Sequence, residues 1–378
     1  MAVEIYPVRS KKELMEFIML PWKLYRDDPY WVPPLIADEK KRFSPEHNPF
    51  YMHSDVQLFI ARKGGETVGR LTAHIDHNYN EFHDELTGQF GFFESIDDVE
   101  VSRALFDAAS EWLKERGMDG LLGPLSFSTN DVAGLLIDDF RLPPVVMMPY
   151  NPPYYVDLVE SYGFTKAKDL LAYQIRIDDD FLRDIDRIRN RLLRLSERAK
   201  REGFTVRPVN FKKLDEEVPK LLDIYNNAWE KNWGFVPMTD EEFWHLAREL
   251  KPIALPELTP IVEYKGEPVA FGLVLPDVNQ VLKKVNGKLF PLGIFKLLFG
   301  LKKIDGLRLI ALGIKKGYRK RGADSLLYST LLENGLKIRR FKTCEVSWLL
   351  EDNYLIIRAT EFMKGKLYKT YRLYYKSL

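Results

Sequence analysis

The chain has 378 residues, enough for two domains, and its 46% hydrophobic and 29% charged residues are typical of a globular protein. Lysine and arginine number 56 against 55 aspartate and glutamate residues, so no overall charge attracts DNA, RNA or an anionic surface, and any basic site must be local. The single cysteine, Cys344, excludes an internal disulfide and a cysteine-rich zinc cluster and indicates a reducing compartment. The N-terminus has no basic and apolar leader, so we expect a cytoplasmic location.

The first half of the chain predicts alternating strands and helices. A short strand leads into a helix with apolar residues at helical spacing (Leu14, Phe17, Ile18), and a hairpin follows around the turn at 63–66. A loop over 123–155 is rich in proline, asparagine and tyrosine, which fix a loop and offer polar groups at its tip. We expect strands at 88–95, 120–127 and 166–177, and helices at 99–116 and 153–162.

Two later segments have alternative interpretations. Residues 178–203 predict a charged helical connector, whose basic residues suit a solvated helix face better than a nucleic-acid-binding arm. Residues 289–301 are the most apolar stretch, but they are too short to span a bilayer, which takes roughly 20 residues. They predict a packed helix, with a helix that binds a membrane surface or a partner as the alternative.

The second half repeats the first at an offset of 201 residues. Pro7 corresponds to Pro208, and Gly65 in the hairpin turn corresponds to Gly266. The second copy continues with a strand at 307–314, a helix at 325–338, a strand at 343–350, a helix at 354–363 and a strand at 367–376. The sequence therefore predicts an α/β protein with mixed sheets and two tandem domains, 1–177 and 204–378, joined by the connector.

The most informative segment follows the strand at 307–314. A basic, glycine-containing turn leads there into a helix, whose first N–H groups and dipole favour an anion. Arg319, Lys320 and Arg321 add positive charge, an arrangement that suits a pyrophosphate. The corresponding turn of the first copy, 96–100, is acidic, so we expect no such ligand there.

This segment resembles the GNAT superfamily of acetyl-CoA-dependent acyltransferases, as does the order of elements in both copies. Arg319-x-x-Gly322 matches the family pattern, Asp324 stands where the family has glycine or alanine, and Asn353 matches an asparagine after the next strand. The family's proton-donating tyrosine would fall near Thr360, where it is missing. The resemblance implies that acetyl-CoA or another acyl-CoA binds in the second domain at Ile314, Arg319, Lys320, Arg321, Gly322, Ala323, Asp324, Ser325 and Asn353.

The resemblance also implies direct transfer of the acyl group to an amine. A backbone N–H near Leu312 or Gly313 would stabilise the oxyanion, and Glu345 or Glu263 would be the base. The acceptor would be an amine of a small molecule or a peptide. Candidate acceptor-binding residues, which would otherwise pack between domains or stiffen the loop, are Asn227, Trp229, Asn232, Trp233 and Phe235 in the second copy, and Asn130, Asn151 and Tyr154 in the first.

Two other functions stay open at this point. One is a FemX-like aminoacyl-tRNA-dependent peptidyl transferase, for which the basic helix at 187–201 is the candidate tRNA surface. The other is a non-catalytic GNAT-fold binding protein, to which Asp324 and the missing tyrosine point. We expect no metal site, no DNA binding and no transmembrane segment, and the sequence does not indicate an oligomeric state.

Overall fold

A computed structural model describes all 378 residues of the chain and has the predicted α/β class. The first half forms seven strands and five helices, which are β1 (Val3–Pro7), α1 (Lys11–Leu24), α2 (Ile36–Arg42), β2 (Ser54–Lys63), β3 (Glu66–Asp76), α3 (His77–His83), β4 (Thr87–Ser95), α4 (Val99–Lys114), β5 (Gly120–Gly123), β6 (Leu135–Leu136), α5 (Tyr154–Ser161) and β7 (Thr165–Arg176).

The second half forms seven helices and six strands. These are α6 (Asp179–Arg201), β8 (Phe204–Pro208), α7 (Leu214–Trp229), α8 (Asp240–Leu250), β9 (Pro260–Tyr264), β10 (Glu267–Pro276), α9 (Asn279–Val285), α10 (Gly293–Leu301), β11 (Gly306–Ile314), α11 (Ala323–Lys337), β12 (Thr343–Leu350), α12 (Tyr354–Phe362) and β13 (Lys366–Ser377).

The chain forms two compact units, each assembled from segments that are distant in sequence. Unit 1 comprises Met1–Leu170, Val281–Leu297 and Lys369–Leu378, and unit 2 comprises Leu171–Gln280 and Leu298–Tyr368.

Unit 1 is built on a mixed sheet in which β1, β2, β3 and β4 are successive antiparallel neighbours. β5 runs parallel to β4, and the last residues of β13 pair antiparallel with β5, Tyr374 lying opposite Gly123. Helix α4 packs its buried face, including Leu105 and Phe106, on this sheet. The predicted strand at 120–127 is too long, since Pro124 has no N–H group with which to continue the ladder.

Unit 2 has the strand order β8-β9-β10-β11-β12, in which only the β11–β12 pair is parallel. Successive side chains along each strand point to opposite faces of the sheet. Ala270 packs with α6 and α11, whereas Phe271 packs with α7 and α8. The parallel pair of strands and α11 together position the candidate site described below.

The charged segment after β7 is a helix, α6, and it belongs to unit 2. Its apolar face is buried, and Ser196 hydrogen-bonds the Ser325 carbonyl oxygen at 3.0 Å and the Ser329 hydroxyl at 2.7 Å on α11. Arg189 makes a bidentate ion pair with Glu333, which also lies on α11. The helix therefore packs within unit 2, and its role as a connector stays a prediction.

The expectation of a packed helix at 289–301 is wrong for most of its surface. In α10 Gly293 is buried and Ile294, Leu297, Gly300 and Leu301 are half-buried along one side, whereas Phe295 and Phe299 are 55% and 72% exposed. The stretch is apolar on every side, so one row of contacts leaves the remaining apolar side chains in solvent. None of the helices combines the length and the apolarity that crossing a bilayer requires.

Candidate active site

The candidate site lies in unit 2, where two parallel strands separate. The pairing of β11 with β12 ends at Leu309 and Val346, and both strands continue beyond these residues. On its other edge β11 carries a β-bulge at Ile310, the residue that is skipped in the register with β10. A bulge bends its strand and increases the local twist. The two strand ends therefore diverge.

An elongated cavity of about 170 Å³ lies along these two strands. Its walls reach from Leu312 at the diverging ends to Leu307 at the paired ends, about 17 Å along β11. A stripe of α11 at helical spacing forms one wall. Most of its lining residues are apolar, as in cavities that accept apolar ligands. The α11 wall consists of Tyr328, Leu331, Leu332, Gly335 and Leu336, and β11, β12 and α12 supply most of the others.

The turn between β11 and α11 has the form that the sequence predicted. Gly322 is the residue that precedes the helix, and its φ of 97° lies in the left-handed region that favours glycine. A Cβ atom there would lie 2.8 Å from the Cβ of Ala199 on α6, so a side chain does not fit. The first turn of α11 thus begins at a closely packed glycine, with its N–H groups directed out of the helix end.

The basic side chains of this turn differ in what neutralises them. Lys315 makes ion pairs with Asp223 at 2.6 Å and Glu267 at 3.3 Å. The Arg319 guanidinium instead donates to the carbonyl oxygens of Ala228 and Ile314.

Arg321 lies over the ring of Tyr264, 4.7 Å from its centroid, and its hydrogen bond lowers the pKa of the Tyr264 hydroxyl. Contacts with carbonyl oxygens and rings leave the charges of Arg319 and Arg321 available to an anion. Lys320 is exposed in the same turn.

Asp324, the residue that departs from the GNAT pattern, lies in the first turn of α11. Its carboxylate accepts a hydrogen bond from the backbone N–H of Ser325 at 2.9 Å. This N–H is one of the donors that an anion at the helix N-terminus would use. The Asp324 carboxylate therefore competes with a bound phosphate both for a donor and through its charge.

Glu345 belongs to a buried hydrogen-bond network beside the point of strand separation. It is 2% exposed, and its two carboxylate oxygens accept hydrogen bonds from the hydroxyls of Ser347 and Tyr368. Arg308 lies opposite Glu345 in the register of β11 and β12, and its Nε donates a hydrogen bond to the Ser347 hydroxyl at 2.9 Å. Ser347 lines the cavity, so its hydroxyl links the buried carboxylate to the cavity wall.

The sequence predicted Glu345 as a candidate base, which stays a prediction, and it did not indicate the partners of this carboxylate. Arg308, Ser347 and Tyr368 have no motif of their own, and only the strand register shows that they meet.

Glu263, the other predicted base, has a different setting. It pairs with Arg207 at 2.7 Å, and Arg207 also pairs with Glu217 at 3.0 Å. Glu263 does not line the cavity.

Two of the predicted site residues around α7 line the cavity, and a third lies at the turn before α11. Trp229 and Asn232 line it, and the Trp229 ring covers Gly313, where a Cβ atom would lie only 2.4 Å from the ring. Asn227 contacts the turn between β11 and α11, because its side-chain oxygen accepts a hydrogen bond from the Lys316 N–H at 2.9 Å.

The other second-copy candidates are distributed as follows. Leu312 and Asn353 line the cavity, Phe235 is buried against the Tyr225 ring, and Trp233 is half-buried. Ile314 ends β11 and its carbonyl oxygen holds Arg319.

The predicted acceptor residues of the first copy brace the backbone of unit 1. The buried amide of Asn151 bonds both the N–H and the carbonyl oxygen of Leu136, at 2.8 and 3.1 Å. Tyr154 donates to the Ser95 carbonyl oxygen at 2.8 Å, and the Asn130 N–H donates to the Ser128 hydroxyl at 3.1 Å. These contacts stiffen the loop.

The first copy also closes the gap that the second leaves open. After β5, the N–H of Leu125 donates to the Phe90 carbonyl oxygen of β4 at 2.8 Å. A Cβ atom on Gly91 would lie 1.7 Å from the Leu125 carbonyl oxygen, so the backbone after β5 is in direct contact with β4 there. No group of three or more histidine, cysteine, aspartate and glutamate side chains is placed to hold a metal ion in either unit.

His74 lies beside the closed gap of unit 1, and we expect it to make the free energy of unfolding depend on pH. Its Nε2 donates to the Phe127 carbonyl oxygen at 2.7 Å, and burial lowers its pKa to about 4. The unfolded chain, with a pKa near 6.5, binds more protons below that pH. We expect stability to be full above pH 6.5 and to fall by about 3 kcal/mol as the pH approaches 4.

Thermal melts at pH 7.5 and pH 4.5 test this expectation. His74→Gln should show a smaller loss of melting temperature between the two pH values than the unchanged protein, whereas His47→Gln, which alters an exposed histidine of the same unit, should not. Equal losses in all three proteins would contradict the assignment.

No family model matches the chain. Two curated proteins are similar along nearly their whole lengths. The "Bacterial ceramide synthase" of Caulobacter vibrioides is 36% identical over 382 residues, covering 100% of this chain and 98% of that protein. "Protein YghO" of Escherichia coli is 36% identical over 376 residues, covering 98% and 94%.

Solved structures show the fold. A tandem GNAT protein from the clavulanic acid biosynthesis pathway superposes with a TM-score of 0.61 at 14% identity, covering 99% of this chain and 98% of that one. A GCN5-related N-acetyltransferase from Sphaerobacter thermophilus gives 0.50 at 12% identity, covering 99% and 95%. The prediction of a two-domain GNAT fold is confirmed.

Proposed function

From the premise that this chain belongs to the protein family of the Caulobacter ceramide synthase and YghO, we propose that it is an N-acyltransferase that uses a long-chain acyl-CoA. The acceptor is the amine of a long-chain amino alcohol, as in the formation of a ceramide. The observation that carries the proposal is the apolar cavity that begins where β11 and β12 separate, beside the basic turn. An acetyl group alone would leave most of this cavity empty.

The residues of unit 2 fit the two ends of an acyl-CoA. Arg319, Lys320 and Arg321, with the first N–H groups of α11, suit the diphosphate. The inner cavity near Leu307 and Gly335 suits the alkyl chain, because burying each methylene in such surroundings is worth about 0.8 kcal/mol. When bound, acyl-CoA would supply the activated acyl group as a thioester. The closed gap and acidic turn of the first copy do not fit this ligand.

We assign the steps of amide formation to residues around the strand separation. Backbone N–H groups near Leu312 and Gly313 would stabilise negative charge on the carbonyl oxygen. Glu345 would take the proton of the amine through the Ser347 hydroxyl, which already donates to it. As the C–N bond forms the thioester C–S bond would break, and the released thiolate would take up an equivalent proton. Cys344 also lines the cavity, but burial raises its pKa to about 12, so the thiol stays protonated at neutral pH and transfer is direct.

The basic turn is tested by coenzyme A binding. Arg321→Ala is expected to weaken binding by about tenfold, since it removes a charged donor to phosphate. Asp324→Gly, which restores the GNAT pattern, is expected to tighten binding by roughly two- to fivefold, because it frees the Ser325 N–H and removes a like charge. Calorimetric titration of coenzyme A measures both changes.

A matched control is available in unit 1. Arg116 lies over the ring of Trp112 at 4.1 Å, much as Arg321 lies over Tyr264, so Arg116→Ala removes a similar contact far along the sequence. Its affinity for coenzyme A should be unchanged. Equal losses in both variants, or no saturable binding to the unchanged protein at millimolar ligand, would contradict a cofactor site at this turn.

The activity itself is tested with palmitoyl-CoA or acetyl-CoA and sphinganine as acceptor, with the amide product identified by mass spectrometry. We expect palmitoyl transfer to exceed acetyl transfer. Coenzyme A binding without product from any amine would instead leave a GNAT-fold binding protein.

Salt-sensitive binding of tRNA would favour the FemX-like alternative. The geometry gives it limited support, because four of the eight basic residues of α6 are paired with carboxylates, among them Arg189 with Glu333 and Arg198 with Glu202.

A further inference from the structure

A segment rich in both lysine and apolar residues connects β10 with β11. Residues 279–303 contain six lysines and no aspartate or glutamate, in a chain whose acidic and basic residues are otherwise balanced. All six lysines are exposed. They are Lys283, Lys284, Lys288, Lys296, Lys302 and Lys303.

Large apolar side chains occupy the tip of the same segment. Phe290 and Leu292 precede α10 and are 77% and 67% exposed. Phe295, Leu298 and Phe299 follow at helical spacing and are 55%, 56% and 72% exposed, so they form one face of the helix. We call these five side chains the apolar tip. A contiguous exposed group of this kind marks an interaction site rather than ordinary surface.

The base of the segment is held firmly by unit 1. The Trp22 indole donates to the Asn286 side chain at 3.1 Å, and the Ile36 N–H donates to the Gly287 carbonyl oxygen at 3.0 Å. Gly287 has a φ of 78°, and a Cβ atom there would lie 2.6 Å from the Trp22 ring. The ammonium group of Lys296 caps the Lys284 carbonyl oxygen at 3.1 Å. The apolar tip is thus presented by a fixed base.

We infer that the apolar tip docks on an anionic phospholipid membrane. Phenylalanine and leucine flanked by lysine are the composition of helices that lie in the membrane interface. Lysine stems cover apolar surface while their ammonium groups reach the phosphates. Lysine is depleted at protein–protein interfaces, so a protein partner fits this composition less well. The inference is independent of the proposed reaction.

Vesicle flotation with the full-length protein tests this inference without any substrate. The unchanged protein should float with phosphatidylcholine vesicles that contain 30% phosphatidylglycerol, and much less with phosphatidylcholine alone. Raising the salt concentration should weaken the binding. The triple variant Phe290→Ser, Phe295→Ser, Phe299→Ser should lose at least tenfold in partition coefficient. Replacing Lys284, Lys288 and Lys302 with glutamine should lose about fivefold per lysine on the anionic vesicles only.

A matched control removes three exposed apolar side chains of unit 1 that lie outside this segment. Met52→Ser, Leu86→Ser, Leu142→Ser, whose native side chains are 71%, 55% and 40% exposed, should bind vesicles like the unchanged protein. Thermal melts confirm that each variant is folded. Failure of the unchanged protein to float would overturn the inference, as would equal binding by the phenylalanine variant. A dimer in solution that only the phenylalanine variant abolishes would also overturn it, because the tip would then cover a second copy.

Discussion

Glu345→Gln is expected to lower kcat for amide formation by about 10²- to 10⁴-fold, the usual contribution of a general base. The glutamine keeps the shape of the side chain but cannot take up the proton that Ser347 relays. Affinity for coenzyme A should be unchanged, because Glu345 lies on the strand and not in the basic turn. Steady-state release of free thiol from palmitoyl-CoA, measured with saturating sphinganine, gives kcat directly.

Glu263→Gln is the matched control for this change. It also neutralises a carboxylate that partners an arginine, but one that does not line the cavity, so kcat should stay within about twofold.

The Glu345→Gln variant should also be less stable. Removing the Glu345 charge leaves Arg308, which is only 3% exposed, without that carboxylate nearby, and this lowers the free energy of unfolding.

Ser347→Ala provides an independent check, because it keeps the carboxylate and removes the hydroxyl between it and the cavity. Its kcat should fall by at least tenfold, and its melting temperature should fall modestly, because the buried Arg308 Nε loses its hydroxyl acceptor. Full activity in a folded Glu345→Gln variant would show that the carboxylate only supports the strand.

The sequence predicted the repeated elements well because each is encoded locally. The strand at 343–350 is found at the same residues as β12, and the helix predicted at 325–338 begins two residues earlier, at Ala323. Apolar periodicity and the turn glycines define such segments without tertiary information. The turn with Arg319 and Gly322 was likewise visible, since an anion site at a helix N-terminus needs only neighbouring residues.

The rest depends on residues that are far apart in the chain. The last strand pairs with β5 in unit 1, and no local pattern encodes that partner. The cavity joins walls from α6, α11, α12 and two strands, so it exists only after packing. The Glu345 network, too, needs the parallel register that puts Arg308 opposite Glu345. For α10, the apolar pattern did not show which side would stay exposed.

Gly335→Leu is expected to convert a long-chain enzyme into one that prefers short acyl groups. Gly335 lies on the cavity-facing stripe of α11, and a Cβ atom there would have nothing within 4 Å. The Cβ atom of a leucine therefore has room, and we expect the rest of its side chain to enter the inner cavity and occupy the space assigned to the end of the acyl chain. Each displaced methylene costs about 1 to 3 kcal/mol of discrimination, so kcat/KM for palmitoyl-CoA relative to hexanoyl-CoA should fall by at least tenfold.

Gly335→Ala separates this effect from helix stability. Both substitutions replace a glycine inside a helix and should stabilise α11 by about 1 kcal/mol, but alanine adds a single methyl group and leaves most of the cavity open. Its chain-length preference should therefore match the unchanged protein, while both variants melt at a higher temperature. If the leucine variant is folded and still prefers palmitoyl-CoA as strongly as the alanine variant does, the acyl chain lies elsewhere. A selective loss of the long substrate would place the chain between α11 and β12, because no other part of the binding site is altered.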